Sequence, residues 1–151
     1  MEHEKVNEHE RHFVGIWTRI QNPSSASLLI AALWDKFYRE QVFSKIKERI
    51  SDDFFGVYYD YEGDQTKPYS LLAGCEVKKG YKPLPGMIEV TAPKGNYEKY
   101  EVIGLFPEFL FQTWQDVWAD KELKRTFKVD FEHYGPKFHT EPPQVDLYIG
   151  V

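Results

Sequence analysis

The chain sets out the same order of secondary-structure signals twice, and this repetition limits its fold more tightly than any other feature. His12 to Gln21 has the β-branched and aromatic composition of a strand. Asn22-Pro23-Ser24-Ser25 then offers helix-start chemistry. Leu29, Ile30, Leu33, Trp34, Phe37 and Tyr38 recur at intervals of three and four, which predicts an amphipathic helix through about residue 40. Val42, Phe43, Ile46 and Ile50 continue the pattern less regularly, as a second short helix would. Phe54 to Tyr61 and Tyr69 to Val77 read as two strands able to pair as a hairpin. Pro83, Pro85 and Gly86 punctuate the middle of the chain, and Met87 to Thr91 is a short strand.

After the turn Pro93-Lys94-Gly95-Asn96 the series begins again. Tyr97 to Ile103 is a strand, and Phe106-Pro107-Glu108 opens a helix whose Leu110, Trp114, Val117 and Trp118 share a face. Thr126 to Gly135 alternates as a strand, and Val145 to Ile149 is the last. Two successive β-α-β-β units predict an α+β fold built as a pseudo-repeat. Its length of 151 residues suits one domain. The halves are expected at about 12–80 and 87–151, and the charged, aperiodic residues 1–11 as a flexible tail.

The alternating segment near the end carries the most unusual residue. With a period of two, Val129, Phe131 and His133 share one face of the strand, and Asp130, Glu132 and Tyr134 share the other. Acidic residues are depleted in strands, and this strand lies between aromatic-rich segments. A carboxylate in aromatic surroundings is costly unless a cation or a proton compensates it, which makes Glu132 the leading candidate for a ligand-binding group. Overlaying Tyr59-Asp60-Tyr61-Glu62-Gly63 on Phe131-Glu132-His133-Tyr134-Gly135 places Asp60 opposite Glu132 about a pseudo-twofold axis, and Asp60 becomes a second candidate. Tyr58, Tyr134 and Tyr148 are candidates to present a hydroxyl to a ligand. Trp34 and Phe37 on the first helix, and Trp114 with Trp118 on the second, have a spacing that serves a core as readily as a ligand wall.

Composition narrows the function classes. A formal net charge of -5, with no basic cluster denser than Lys121-Glu122-Leu123-Lys124-Arg125, argues against direct nucleic-acid binding. Ten tyrosines, eleven phenylalanines and four tryptophans exceed what a small core needs, so some are expected to line a cavity. The single cysteine, Cys75, excludes an intramolecular disulfide and a cysteine metal cage, and reads as a buried strand residue. His3, His9 and His12 lie close together in the expected tail, which cannot hold ligand geometry, so no metal and no cofactor is expected. The polar start and the lack of about 18 uninterrupted apolar residues give the expectation of a soluble, cytoplasmic protein with no membrane association.

Four stretches in order carry a family resemblance: Ile30-Ala31-Ala32-Leu33-Trp34-Asp35-Lys36-Phe37, Phe55-Gly56-Val57-Tyr58-Tyr59-Asp60-Tyr61-Glu62, Pro85-Gly86-Met87 followed by Thr91-Ala92-Pro93-Lys94-Gly95-Asn96-Tyr97, and Asp130-Phe131-Glu132-His133-Tyr134. Together they resemble the GyrI-like small-molecule-binding family, the effector-binding domain of AraC-type and multidrug-sensing transcription regulators. The resemblance implies an antiparallel curved sheet with two main helices and a ligand cleft between duplicated halves. It also implies a binding glutamate on the penultimate strand, a position that Glu132 occupies, attracting cationic, lipophilic aromatic compounds. Aromatic faces add cation–π attraction of roughly 0.5 to 2 kcal/mol each.

Regulators of this kind join the domain to a helix-turn-helix module, for which the segment before the first strand is too short, and nothing follows Val151. The expectation is therefore a stand-alone binder of amphipathic, cationic aromatic compounds. Two alternatives stand beside it. Some similar proteins hydrolyse strained electrophilic cyclopropane compounds with the pocket glutamate and a tryptophan, for which Trp17, Trp34, Trp114 and Trp118 are all candidates and Glu132 the acid or base. Gyrase-inhibitor relatives instead bind a protein partner.

Overall fold

The computed structural model describes residues 2–151. Its strands are β1 (Glu4–Glu8), β2 (Arg11–Ile20), β3 (Phe54–Tyr59), β4 (Tyr69–Val77), β5 (Ile88–Ala92), β6 (Gly95–Ile103), β7 (Val129–Tyr134) and β8 (Gln144–Gly150). Its helices are α1 (Ser27–Arg39), the single turn α2 (Val42–Lys45) and α3 (Glu108–Ala119). The strands form one curled antiparallel sheet in the order β1-β6-β8-β7-β3-β4-β2-β5. Reading outward from the centre, β3-β4-β2 and β7-β8-β6 are the two units in the same internal order, and β3 pairs with β7 across the junction. The duplicated β-α-β-β architecture is therefore present as one continuous sheet.

Burial follows the pleat. On one face Ile20, Leu71, Ala73, Val102, Leu147 and Ile149 meet Leu33 and Phe37 of α1 and Leu110, Trp114 and Val117 of α3. On the other, Phe13, Phe55, Val57, Leu72, Phe131 and Tyr148 form a second cluster to which neither helix contributes, enclosed by the curl of the sheet itself. Burying each such side chain is worth roughly 1.5–3 kcal/mol, so the rings of both clusters contribute strongly to stability. The helices do not lie over the junction: α1 packs on β2 and β4, and α3 on β6. The central pair β3 and β7 is left to be covered by side chains reaching in from either side, and this is what creates a site there.

Two local expectations change. The polar residues Glu4–Glu8, expected as part of a flexible tail, form β1 and pair antiparallel with β6, Glu4 opposite Lys99 and Glu8 opposite Gly95. An edge strand gets its cohesion from backbone hydrogen bonds and tolerates charge on both faces. The helix-start residues Asn22-Pro23-Ser24-Ser25 form a 3-10 turn, in which the Ser24 hydroxyl donates to Asn22 Oδ1 at 2.8 Å and Ser25 N donates to Asn22 O at 3.0 Å, and α1 proper begins at Ser27. Cys75 is buried in β4, with its thiol pKa pushed up to about 12 by desolvation.

Candidate functional site

At the junction the register pairs Phe54 with Tyr134, Gly56 with Glu132 and Tyr58 with Asp130. Superposing the two units so that the strand limits and the ladders agree lays β2 on β6, β3 on β7 and β4 on β8, with Gly56 over Glu132 and Tyr58 over Tyr134. The pseudo-twofold axis thus passes through the Gly56–Glu132 pair. Only one side chain fits there. A Cβ placed on Gly56 would stand 2.8 Å from Glu132 Oε1 and 3.1 Å from Trp34 Cζ2, so the absence of a side chain in one unit makes room for the carboxylate of the other.

Glu132 is 2% exposed and accepts three hydrogen bonds. Tyr58 Oη donates to Oε2 at 2.9 Å, Trp114 Nε1 to Oε2 at 2.8 Å, and Tyr134 Oη to Oε1 at 2.8 Å. The two tyrosines are related by the pseudo-axis and reach one carboxylate from either side. The tryptophans of the two helices cross over: Trp34 of the first unit packs edge-on against Tyr134 of the second at 5.4 Å, and Trp114 of the second against Tyr58 of the first at 4.8 Å. Phe54 stacks on Tyr134 at 5.0 Å, and the partly exposed Phe106 meets the same ring edge-on at 5.9 Å.

The charges here are unbalanced. Among the described residues no lysine, arginine or histidine forms an ion pair with Glu132; its partners are neutral donors. Desolvation raises the pKa of Glu132, opposed by the hydrogen bonds from Trp114, Tyr134 and Tyr58. The Tyr58 and Tyr134 hydroxyls are held well above their usual range, first by burial and then by the adjacent carboxylate, so they stay protonated and donate to it. The arrangement can take up a cation or a proton, and has aromatic surfaces to receive an apolar body around either.

One step along the same face of β7, Asp130 is fully buried but differently served. Arg125 Nη2 lies 2.7 Å from its Oδ2, Tyr61 Oη donates to Oδ2 at 2.5 Å, and the backbone N–H of Gly150 donates to Oδ1 at 2.8 Å.

Five of the eight expected residues therefore meet: Glu132, Tyr58, Tyr134, Trp114 and Trp34. Phe37 buttresses Trp34 edge-on at 5.3 Å within the core. Asp60 does not join them. It follows the end of β3 with φ 54, its side chain is 76% exposed, and Arg19 binds both its carbonyl, at 2.7 Å, and its carboxylate, at 3.5 Å. Tyr148 lies on the opposite face of the sheet, stacked on Phe131 at 4.5 Å, because it is Leu147 that pairs with Glu132 in the β7–β8 ladder. Sequence reasoning missed Gly56, whose place in a strand of large side chains signals a close approach, and also Tyr61 and Arg125, for which local pattern gives no signal. Of the four tryptophans, Trp17 and Trp118 are 46% and 41% exposed and make no contact with the carboxylate of the kind Trp114 makes.

Comparisons with known proteins agree with the fold and with the resemblance drawn from the sequence. The transcriptional regulator BrlR of Pseudomonas aeruginosa is 26% identical over 131 residues, 81% of this chain, and the chain spans about half the length of that regulator, 46%. Among solved structures, SAV2435 bound to tetraphenylphosphonium superposes with a TM-score of 0.81 at 17% identity, over 99% of this chain and 93% of that one. An integron cassette protein from the mobile metagenome of Vibrio cholerae follows at 0.75 and 22%, over 99% and 95%. Residues 6–151 match the family described as integron-associated effector binding protein, and the chain belongs to that family, within the GyrI-like effector-binding group.

Proposed function

We propose that this protein binds amphipathic small molecules that carry a positive charge among aromatic or apolar groups, with Glu132 as counter-ion and Trp34, Tyr58, Trp114 and Tyr134 as walls. The observation that carries this reading is a buried carboxylate with three neutral donors and, among the described residues, no cationic partner. Donors orient a carboxylate without neutralising it, so the charge is held in place for something brought from outside. The fold-level likeness to a protein solved with tetraphenylphosphonium, a lipophilic cation, supports the same reading. Because Glu132 is nearly sealed, entry requires ring side chains to move. Trp34 is half-buried and Phe106 is 39% exposed, so both can do so.

The test is a titration with tetraphenylphosphonium and, as neutral counterpart, triphenylphosphine oxide, followed by tryptophan fluorescence. The expected result is preference for the cation, weakened about tenfold or more in Glu132→Gln, a loss of at least ~1.4 kcal/mol. Equal binding of both compounds, or no effect of the substitution, would remove Glu132 from recognition. Hydrolysis of strained electrophiles is a second reading, favoured by the raised pKa of Glu132, which suits an acid–base group. Glu132-dependent loss of a cyclopropane electrophile, against simple binding of it, decides between the two.

A further inference from the structure

Asp130 and Glu132 project from the same face of one strand, two residues apart, and both are buried, at 0% and 2% exposure. A single arginine stands between their surroundings. The Arg125 side chain is 5% exposed, forms its ion pair with Asp130, and places its guanidinium 5.9 Å from the Trp114 ring, the ring whose Nε1 donates to Glu132. The guanidinium also lies over Phe127 at 4.2 Å and Tyr61 at 5.8 Å, so it is itself a cation among aromatic rings. Its Nε is buried without an acceptor, a donor left free on a cation that borders Trp114.

Resting on the function proposed above, we infer that Asp130 is a specificity-determining residue: it engages Arg125 and so keeps the resident cation from neutralising Glu132. Tyr61 and the Gly150 N–H fix both Asp130 oxygens, which leaves Arg125 a defined partner and no reason to turn towards its neighbour. Without Asp130 the guanidinium would sit buried and uncompensated on the far side of Trp114 from Glu132, the other buried carboxylate of that face among the described residues, and neutralising Glu132 would relieve it. The unpaired charge of Glu132 is thus maintained by a charge pair that never touches the ligand.

Three arms test this with tetraphenylphosphonium and triphenylphosphine oxide. Asp130→Asn is expected to weaken the cation about tenfold while leaving the neutral compound unchanged, since an opposite charge nearby cancels a counter-ion. The double variant Asp130→Asn with Arg125→Met removes both charges and is expected to return cation affinity to within about threefold of the wild type. Cation affinity unchanged in the single variant, or a double variant about tenfold weaker than wild type, would overturn the inference and leave the pair a purely structural element. If Asp130→Asn does not fold, Asp130→Ser takes its place with the same expectation, and a double variant about tenfold weaker than wild type still overturns the inference. Wild type and Glu132→Gln run alongside: an absence of Glu132-dependent cation binding there sinks the functional reading itself, whereas its presence with an unresponsive Asp130→Asn sinks only this inference.

Discussion

The two faces of the sheet hold opposite halves of the same interaction. On the face enclosed by the curl, the Arg11 guanidinium lies over Phe131, Phe55 and Tyr148 at 5.1, 5.7 and 5.9 Å, and Glu76 and Glu8 accompany it at 3.1 and 3.6 Å. On the helix-bearing face, rings surround a carboxylate that no cation meets among the described residues. Arg11 is what a cation in an aromatic box looks like when it belongs to the protein. The difference teaches that aromatic richness by itself does not mark a site, since one set of rings is already occupied; under the proposed function the unpaired charge is what does.

Removing the resident cation should have the largest consequence. Arg11→Met leaves Glu76 half of a largely buried pair, and is expected to destabilise by about 3 kcal/mol in urea unfolding while sparing cation binding at Glu132. If it costs nothing, the face that holds its own cation is not a stabilising counterpart. Gly56→Val drives a side chain into the place of the Glu132 carboxylate and is expected to cost about 1–3 kcal/mol and to abolish cation selectivity together, read by unfolding and by titration of one preparation.

The proton offers a subtler way to sharpen the comparison. Glu132 has a raised folded-state pKa, so between the ordinary carboxylate range and that raised value the folded state holds a proton the unfolded state has lost. Its contribution to stability is therefore greatest at low pH and falls as pH rises through that window, while affinity for a cation rises through the same window. Tetraphenylphosphonium binding should weaken by up to about tenfold per pH unit on the acid side of the transition, with triphenylphosphine oxide flat. Parallel profiles for the two compounds would count against the carboxylate. The smallest effect is expected from Asp60→Asn, whose surface pair with Arg19 should shift stability by less than about 0.5 kcal/mol and leave both affinities unchanged.

Much of this organisation was legible in local pattern. The period of two across Val129 to Tyr134 sorts Phe131 from Glu132, and the structure keeps them on separate faces, Phe131 in the enclosed cluster and Glu132 on the helix-bearing face. The helical spacing of Trp34 with Phe37, and of Trp114 with Val117, fixed which faces of α1 and α3 turn inward. What failed was long-range register. Asp60 was set opposite Glu132 by an overlay of short similar strings, but β3 ends at Tyr59 and the ladder makes Gly56 the partner. A shift along a strand is invisible to composition because it preserves every residue and changes only what each one faces. The face that Tyr148 takes also depends on register, and the β7–β8 ladder turns it away from Glu132. β1 gives no local signal because its pairing is backbone-borne and Val6, which packs against the enclosed cluster, is its one apolar side chain.

A duplicated architecture invites the expectation of two equivalent binding sites. With Gly56 and Glu132 facing one another on the pseudo-axis, the two halves have one place between them, filled from one side and vacated by the other. Under the function proposed above, the expected stoichiometry is one charge, and one guest, per chain: the division of labour lies in one repeat supplying the group and its twin supplying the room.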